Sequence, residues 1–384
     1  MKKIISSLLV ILVAIQVLGK TNIEVINIEN KAVQDYMADA QRTYTDSSDF
    51  RVSVITKYND TNKYGKKLYW PAGKLVTWTP TTTPDKIKET RITVSMKEDF
   101  TDSVTHYPDP KTAESFTTSG SFVIRNLLPN KKYYYKVEEF HYNGDRFILD
   151  YGFFRTEGQV RMIQVRNCSN VRDLGGWMTQ YGKPVRYGKL YRSASLETMT
   201  REGRHDFVDN LKVVAELDLR HETKRQTSAL GADRDYLRLA HGSYTSGISE
   251  KYRVYVTDLR WIIARMREHK NVDWHCAIGC DRCGTLSFLI EGLLGLNELD
   301  LCRDYELSTF SLGKNNRRVR SPLKSMISHI KSYGPKNDLA RCFYNYWLHI
   351  GMHREELDYF LREMLGISDI SRLTRAPESN DDDN

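Results

Sequence analysis

The chain has 384 residues, 40% of them hydrophobic and 23 of them tyrosine, which is enough for two domains and excludes a fibrous or globally disordered class. The formal net charge of +8 suits acidic substrates and is equally ordinary for an exported protein, so charge alone selects no partner.

Taken from the N-terminus, Lys2 and Lys3 precede an apolar run from Ile4 to Leu18, and Val17-Leu18-Gly19 supplies a cleavage site before Lys20. This pattern predicts a signal peptide over 1–19, cleaved after Gly19, and a secreted or periplasmic mature protein; an uncleaved anchor is the alternative. No cysteine follows closely, so no lipid anchor is expected, and no other stretch reaches the ~18 apolar residues of a membrane span. Residues 20–48 read as a leader segment, with helical spacing through Val33, Tyr36, Met37 and Ala40 between Lys31 and Tyr44.

Strand patterns dominate 49–160. Phe50 to Val54, Arg91 to Val94 and Ser121 to Ile124 alternate between apolar and polar residues. Pro129-Asn130 predicts a turn, after which Tyr133, Tyr135 and Val137 share one strand face. A tyrosine at the start of such a strand can hydrogen-bond back across a sandwich corner. Asn143-Gly144 predicts a hairpin returning through Arg146 to Leu149. With the Phe153-Phe154-Arg155-Thr156 ending, this stretch resembles an all-β fibronectin type III sandwich.

From 161 to 375 helix and strand patterns alternate. The expected elements are a helix over Glu197–Asn210 opened by Ser195, a buried strand over Lys212–Leu219 and a helix over Lys251–Lys270. A short strand Val272–His275, an apolar helix from Gly284 to Leu294 and a helix over Arg354–Leu365 follow. Such alternation predicts an α/β domain, a mostly parallel sheet flanked by helices. Residues 376–384 read as an acidic disordered tail ending Asn380-Asp381-Asp382-Asp383-Asn384.

The chemistry concentrates between strand and helix, in His275-Cys276-Ala277-Ile278-Gly279-Cys280-Asp281-Arg282. A loop wrapped around a phosphate turns its backbone N–H groups inward, and the following helix adds its positive N-terminal end. Ala277, Ile278, Gly279 and Cys280 are therefore the expected phosphate cradle, with Arg282 as a planar fork on two phosphate oxygens. The same field favours the Cys276 thiolate, the nucleophile that would form a phosphocysteine. Asp281 is the first choice of general acid, because Tyr236 to Thr257 holds no Asp and only Glu250.

This loop resembles that of the protein tyrosine phosphatase superfamily, with its HCxxGxxR signature. Asn170 to Gly176, Gly188 to Ser193, Leu217 to Arg220 and Cys276 to Arg282 are similar to a bacterial branch of tyrosine and dual-specificity lipid phosphatases. In that branch the loop aspartate is taken as the acid, which implies the same role for Asp281. The resemblance extends downstream through Asp304 to Ser308. Two residues depart from it. Cys280 stands where lipid-active members carry lysine. Cys283 stands where a Thr or Ser hydroxyl commonly supports the thiolate, leaving a weaker donor or a substitute role for Thr285.

Around the loop, Arg172 and Asp173 are expected to pair at a tight turn. Arg192 and Arg220, at strand ends, are expected either to touch substrate or to form internal salt bridges with Asp173, Asp218 or Glu222. Of the six cysteines, Cys168, Cys276, Cys280, Cys283, Cys302 and Cys342, the pair Cys280 and Cys283 could trap an oxidised Cys276. No second CxxC or HxxxH accompanies Cys280-x-x-Cys283, so neither metal nor cofactor is expected.

The expected function is a cysteine-dependent phosphatase of phosphotyrosine, phosphoserine or phosphothreonine, or inositol phosphates. The alternatives are a catalytically weakened phosphate-binding module and a thiol oxidoreductase. Asn315 to Arg320 is a single basic cluster, insufficient for nucleic-acid binding.

Overall fold

A computed structural model of the chain describes residues 23–39, 70–108, 120–221, 225–312, 320–368 and 370. The expected signal peptide, the Phe50–Val54 strand, Glu222, residues 315–319 of the basic cluster and the acidic tail lie outside these residues. The chain divides into two compact units, residues 1–28 with 71–159, and residues 29–70 with 160–384.

The first unit is all-β among its described residues, apart from one 3-10 turn at Pro84–Lys86. Its strands are β1 (Val25–Asn27), β2 (Lys74–Trp78), β3 (Ile87–Ser95), β4 (Val104–His106), β5 (Gly120–Ile124), β6 (Lys132–His141) and β7 (Arg146–Glu157). They form a five-stranded sheet in the order β1-β7-β6-β3-β4 and a two-stranded sheet of β2 and β5. Only β1 enters parallel, against β7. Alternation sends Tyr133, Tyr135 and Val137 inward, where they share one apolar core with Val76 and Trp78 of β2 and Ile124 of β5. The turn before β6 forms as the sequence predicts. Asn130 takes a positive φ of 56°, and the Leu128 amide donates to the Tyr133 hydroxyl at 2.9 Å. The Asn143-Gly144 hairpin closes with Gly144 at φ 90°.

The second unit opens with α1 (Lys31–Asp39), which buries Ala32, Val33 and Tyr36 in the main core. Asn30 starts the helix, its side chain accepting from the Val33 amide at 3.0 Å. The Tyr36 hydroxyl donates to the buried Glu306 carboxylate.

The central sheet contains β8 (Arg172–Asp173), β9 (Leu190–Ser193), β10 (Val213–Asp218), β11 (Asp235–Arg238) and β12 (Asn271–His275), in the order β11-β10-β12-β9-β8. All neighbours are parallel except β8 with β9. The helices between and after the strands are α2 (Arg201–His205), α3 (Tyr244–Glu250), α4 (Arg253–Arg267), α5 (Asp281–Leu293), α6 (Glu298–Leu312), α7 (Ser321–Ile330), α8 (Leu339–Ile350) and α9 (Arg354–Leu365). This is the expected α/β arrangement. No helix among the described residues is long and apolar enough to cross a membrane.

Two helix starts differ from the sequence reading by three residues or more. The helix expected from Glu197 begins at Arg201, because Thr200 accepts from the Gly203 amide while the Ser195 hydroxyl is engaged by Arg220 at 3.0 Å. The helix expected from Gly284 begins three residues earlier, so Asp281 and Arg282 lie in its first turn. This helix, α5, is buried continuously from Cys283 to Leu293, with Thr285, Ser287 and Glu291 buried among its apolar side chains.

The corner at Tyr133 gives a local test. Tyr133→Phe keeps the ring but leaves the Leu128 amide without this acceptor, a loss of about 1 kcal/mol. Hydrogen exchange at that amide should accelerate about fivefold, read by mass spectrometry of peptides spanning 120–135. Unchanged exchange would show that the hydroxyl holds nothing at the corner.

Candidate active site

The loop joining β12 to α5 is shaped by what its carbonyls bind. The Ala277 carbonyl accepts from the Ser195 amide at 3.2 Å. Those of Ile278 and Gly279 accept from the Asn170 side-chain amide at 3.1 and 2.9 Å. Arg192 donates to the carbonyls of Gly279 and Cys280 at 3.0 and 3.3 Å. In a planar trans peptide the next residue's N–H points opposite to the carbonyl. Four carbonyls tied to the scaffold therefore turn the amides of Ile278, Gly279, Cys280 and Asp281 the other way. The Ile278 amide accordingly faces the Cys276 sulfur. Gly279 permits the curl, with φ at 72° and space for no side chain: a Cβ would lie 2.6 Å from the Ser193 carbonyl oxygen.

Cys276 sits at the base of this loop, 1% exposed. Its thiol is held well below the ordinary cysteine range. The Cys283 thiol beside it is the largest cause and outweighs burial, with the Cys283 and Ile278 amides and the Arg282 charge adding to it. Cys283 is pushed far upward by burial and by its neighbour, so it stays a thiol and donates. The residue in the hydroxyl position thus does supply a hydrogen bond. Thr285 does not substitute for it. Its hydroxyl donates to the Asp281 carbonyl at 2.8 Å and accepts from the Tyr244 amide at 2.9 Å. Cys280 turns toward Asn170 and the Ile278 carbonyl instead. All six cysteines are buried and unbonded to one another.

Arg282 and Asp281 are half-buried at the helix N-terminus, while Ala277 and Ile278 are exposed at the rim. The Asp281 carboxylate accepts from the Tyr244 hydroxyl at 2.6 Å.

The supporting residues are engaged by protein partners around the loop. Arg172 and Asp173 do not pair with each other. They are adjacent on a strand and point to opposite faces. Arg172 donates to Asp304 at 2.8 Å and to the Asn170 side-chain oxygen at 2.7 Å. Asp173 accepts from Arg161 at 2.9 Å and from the amides of Gly175 and Gly188. Arg192 is fully buried and bonds Asp304 at 2.5 Å. Arg220 pairs with Asp218 and Glu197, both at 2.8 Å. Both arginines thus form internal salt bridges, Arg220 with the expected Asp218 and Arg192 with Asp304 rather than with an expected partner. His275 bonds Glu216 at 2.7 Å, and although burial opposes its charge, the Glu216 carboxylate raises its pKa. The Glu216–Asp218–His275 cluster has the ligand types of a metal site, but Arg225 and Arg220 already hold its carboxylates.

Asn170, Asp304, Tyr244 and Tyr305 were not given roles from sequence. Asn170, Asp304 and Tyr305 lie inside the stretches that resemble the family, and that is their one sequence signal.

Two substitutions test this geometry. Cys283→Ala removes the donor to the sulfur, so the Cys276 pKa should rise. The pH for half-maximal inactivation by iodoacetate should then move up by about 1–2 pH units, while Cys283→Ser should hold it near the wild-type value. An unmoved midpoint in the alanine variant would remove Cys283 from the account. Gly279→Ala forces a Cβ into backbone at positive φ, a strain of about 1–3 kcal/mol. Phosphate binding, followed by isothermal titration, should weaken at least about tenfold.

Among solved structures, the chain is similar to TpbA of P. aeruginosa, at 18% identity and a TM-score of 0.30, over 41% of this chain and 89% of that one. It is also similar to the catalytic domain of the PP-IP phosphatase SIW14 from S. cerevisiae, at 15% identity and a TM-score of 0.29, over 43% and 93%. No curated protein matches the sequence. The model of the tyrosine phosphatase family matches residues 163–374, more than half of the chain and the whole of the loop, its scaffold and the helices around them; the chain belongs to that family.

Proposed function

We propose that the chain hydrolyses phosphate monoesters through a phosphocysteine on Cys276. The observation that carries this reading is the placement of Cys276, buried at the base of a curled loop with the Ile278 amide, the Cys283 thiol and the Arg282 charge around its sulfur, all of which lower its pKa. An ionised sulfur beside inward N–H groups and a guanidinium has one evident use, attack on an electrophile that carries negative charge.

In the first step the Cys276 sulfur attacks phosphorus and the ester P–O bond breaks. The Arg282 guanidinium and the loop amides hold the non-bridging oxygens as charge shifts onto them. Asp281 gives its proton to the departing oxygen. In the second step Asp281 takes a proton from water as the water oxygen attacks phosphorus. The S–P bond breaks, its electron pair returns to the sulfur, and phosphate leaves.

The substrate class belongs to the proposal: phosphotyrosine first, then phosphoserine, phosphothreonine and inositol phosphates. The neutral Cys280 in place of a lysine weighs against the most highly charged phosphoinositides. Export by cleavage after Gly19 is likewise proposed, on the Lys2-Lys3 start and the apolar run alone. For the all-β unit we propose a fibronectin type III-like sandwich, supported by its two sheets on one core and by the Tyr133 corner bond.

Hydrolysis of p-nitrophenyl phosphate tests the reaction. A burst of p-nitrophenol followed by steady release is expected. Cys276→Ser should lower the rate by more than about 10³-fold while phosphate still binds. Binding without turnover in the wild-type chain would instead favour the phosphate-binding module. Asp281→Asn should slow phenyl phosphate by about 10²-fold or more and leave 2,4-dinitrophenyl phosphate, whose leaving group needs no proton, nearly unaffected.

A further inference from the structure

Tyr244 and Tyr305 converge on one atom of the residue that would handle the proton. The Tyr244 hydroxyl lies 2.6 Å from Asp281 Oδ1 and the Tyr305 hydroxyl 3.3 Å from it. The two hydroxyls are 2.6 Å apart. Their rings meet edge-on, with centroids 6.2 Å apart and planes at 81°. The three oxygens thus form a closed triangle at the first turn of α5.

Each tyrosine reaches this position at a cost to the chain around it. Tyr244 adopts φ 57°, the left-handed region that a bulky residue rarely occupies. Its amide is pinned to the Thr285 hydroxyl, which is bonded in turn to the Asp281 carbonyl. Tyr244 is therefore tied to the helix turn that carries Asp281 at both its backbone and its hydroxyl. Tyr305, on α6, is 3% exposed, and its ring lies over Gly284, where a Cβ would come within 2.8 Å of it. A glycine one turn into α5 disfavours the helix, and here it makes room for that ring. A strained tyrosine and a helix glycine, on different elements, both serve to put hydroxyls on a single carboxylate oxygen.

We propose that Tyr244 and Tyr305 are positioning residues for Asp281. They fix its carboxyl plane through Oδ1, so that Oδ2 carries the proton given to the leaving oxygen and later taken from water. This rests on the general-acid reading of Asp281. A carboxyl group on a half-exposed helix end otherwise rotates among several orientations, and a misplaced acid loses the benefit of being held near its target.

The test is a comparison of leaving groups in the full chain. Phenylalanine keeps each ring packed and deletes only the hydroxyl. Tyr244→Phe and Tyr305→Phe should each lower kcat/KM for phenyl phosphate by roughly 3–10-fold, and the double variant by more than about tenfold. The change for 2,4-dinitrophenyl phosphate should stay within about twofold. In the Asp281→Asn background the same two substitutions should add less than about twofold on phenyl phosphate, because they act through a carboxyl group no longer present. If Asp281→Asn itself fails to separate the two substrates, the acid assignment falls and this proposal with it. If Asp281→Asn separates them and the double phenylalanine variant does not, positioning alone is overturned. Equal loss on both substrates, or full loss retained in the Asp281→Asn background, would likewise overturn it.

Discussion

The loop around Cys276 depends on Asn170 and Arg192. Between them they hold the carbonyls of Ile278, Gly279 and Cys280, and the peptide plane does the rest, turning the amides that follow away from these two side chains. Neither side chain touches the nucleophile. Each is itself held. Arg172 bonds the Asn170 oxygen, which leaves the Asn170 nitrogen as the end that faces the loop, and Asp304 joins Arg172 to Arg192. The geometry of the loop is thereby set by buried side chains on β8, β9 and α6.

These side chains place several charges out of water, and their balance matters. Burial opposes the charge of Asp304, but the two arginines outweigh it and lower its pKa, whereas Glu291 on α5 is driven far upward by burial and by Asp304. The two carboxyl groups are thus driven in opposite directions, Asp304 by its arginine partners and Glu291 by burial. A second set lies under the strand that feeds the loop. His275 is raised by Glu216 and Asp218 against the effect of burial, and both carboxylates are lowered in return. Asp273, on the same strand, is pushed up to about 7 by burial. The His275 contribution to stability is complete below its unfolded pKa and lost as pH rises through the folded one. The Glu216 and Asp218 contributions are complete above their unfolded values and lost as pH falls. The strand is thus best held between those limits.

Much of this was readable in the chain. The strand, the Cys276–Arg282 spacing and the apolar helix after it lie within nine residues of one another, and local sequence patterns report local structure well. The Tyr133 corner was legible for the same reason, its partners being only five residues apart. The pairing of Arg172 with Asp304 spans 132 residues, and that of Tyr244 with Asp281 spans 37. Neither has a periodic or spacing signature. Adjacency made Arg172 and Asp173 look like a pair, yet adjacent strand residues face opposite ways and must find partners elsewhere. The start of α2 departs from its sequence signal for a related reason. Ser195 has the right chemistry for a cap, but Arg220 claims its hydroxyl, and Thr200 caps instead.

Cys283 shows how a departure from a family pattern should be weighed. A thiol is a weaker donor than a hydroxyl, which from sequence alone argues for a slower enzyme. In place, however, it is fully buried, its own ionisation is strongly suppressed, and its proton has the Cys276 sulfur as a neighbour. Its other contacts, to the Ser193 and Trp274 carbonyls at 3.7 and 3.8 Å, are long. A poor donor with little competition and no water can still favour the ionised form of its partner, because a low-dielectric setting strengthens whatever bond remains. The substitution therefore changes the chemical nature of the support for the thiolate without removing it, and places a second sulfur against the first.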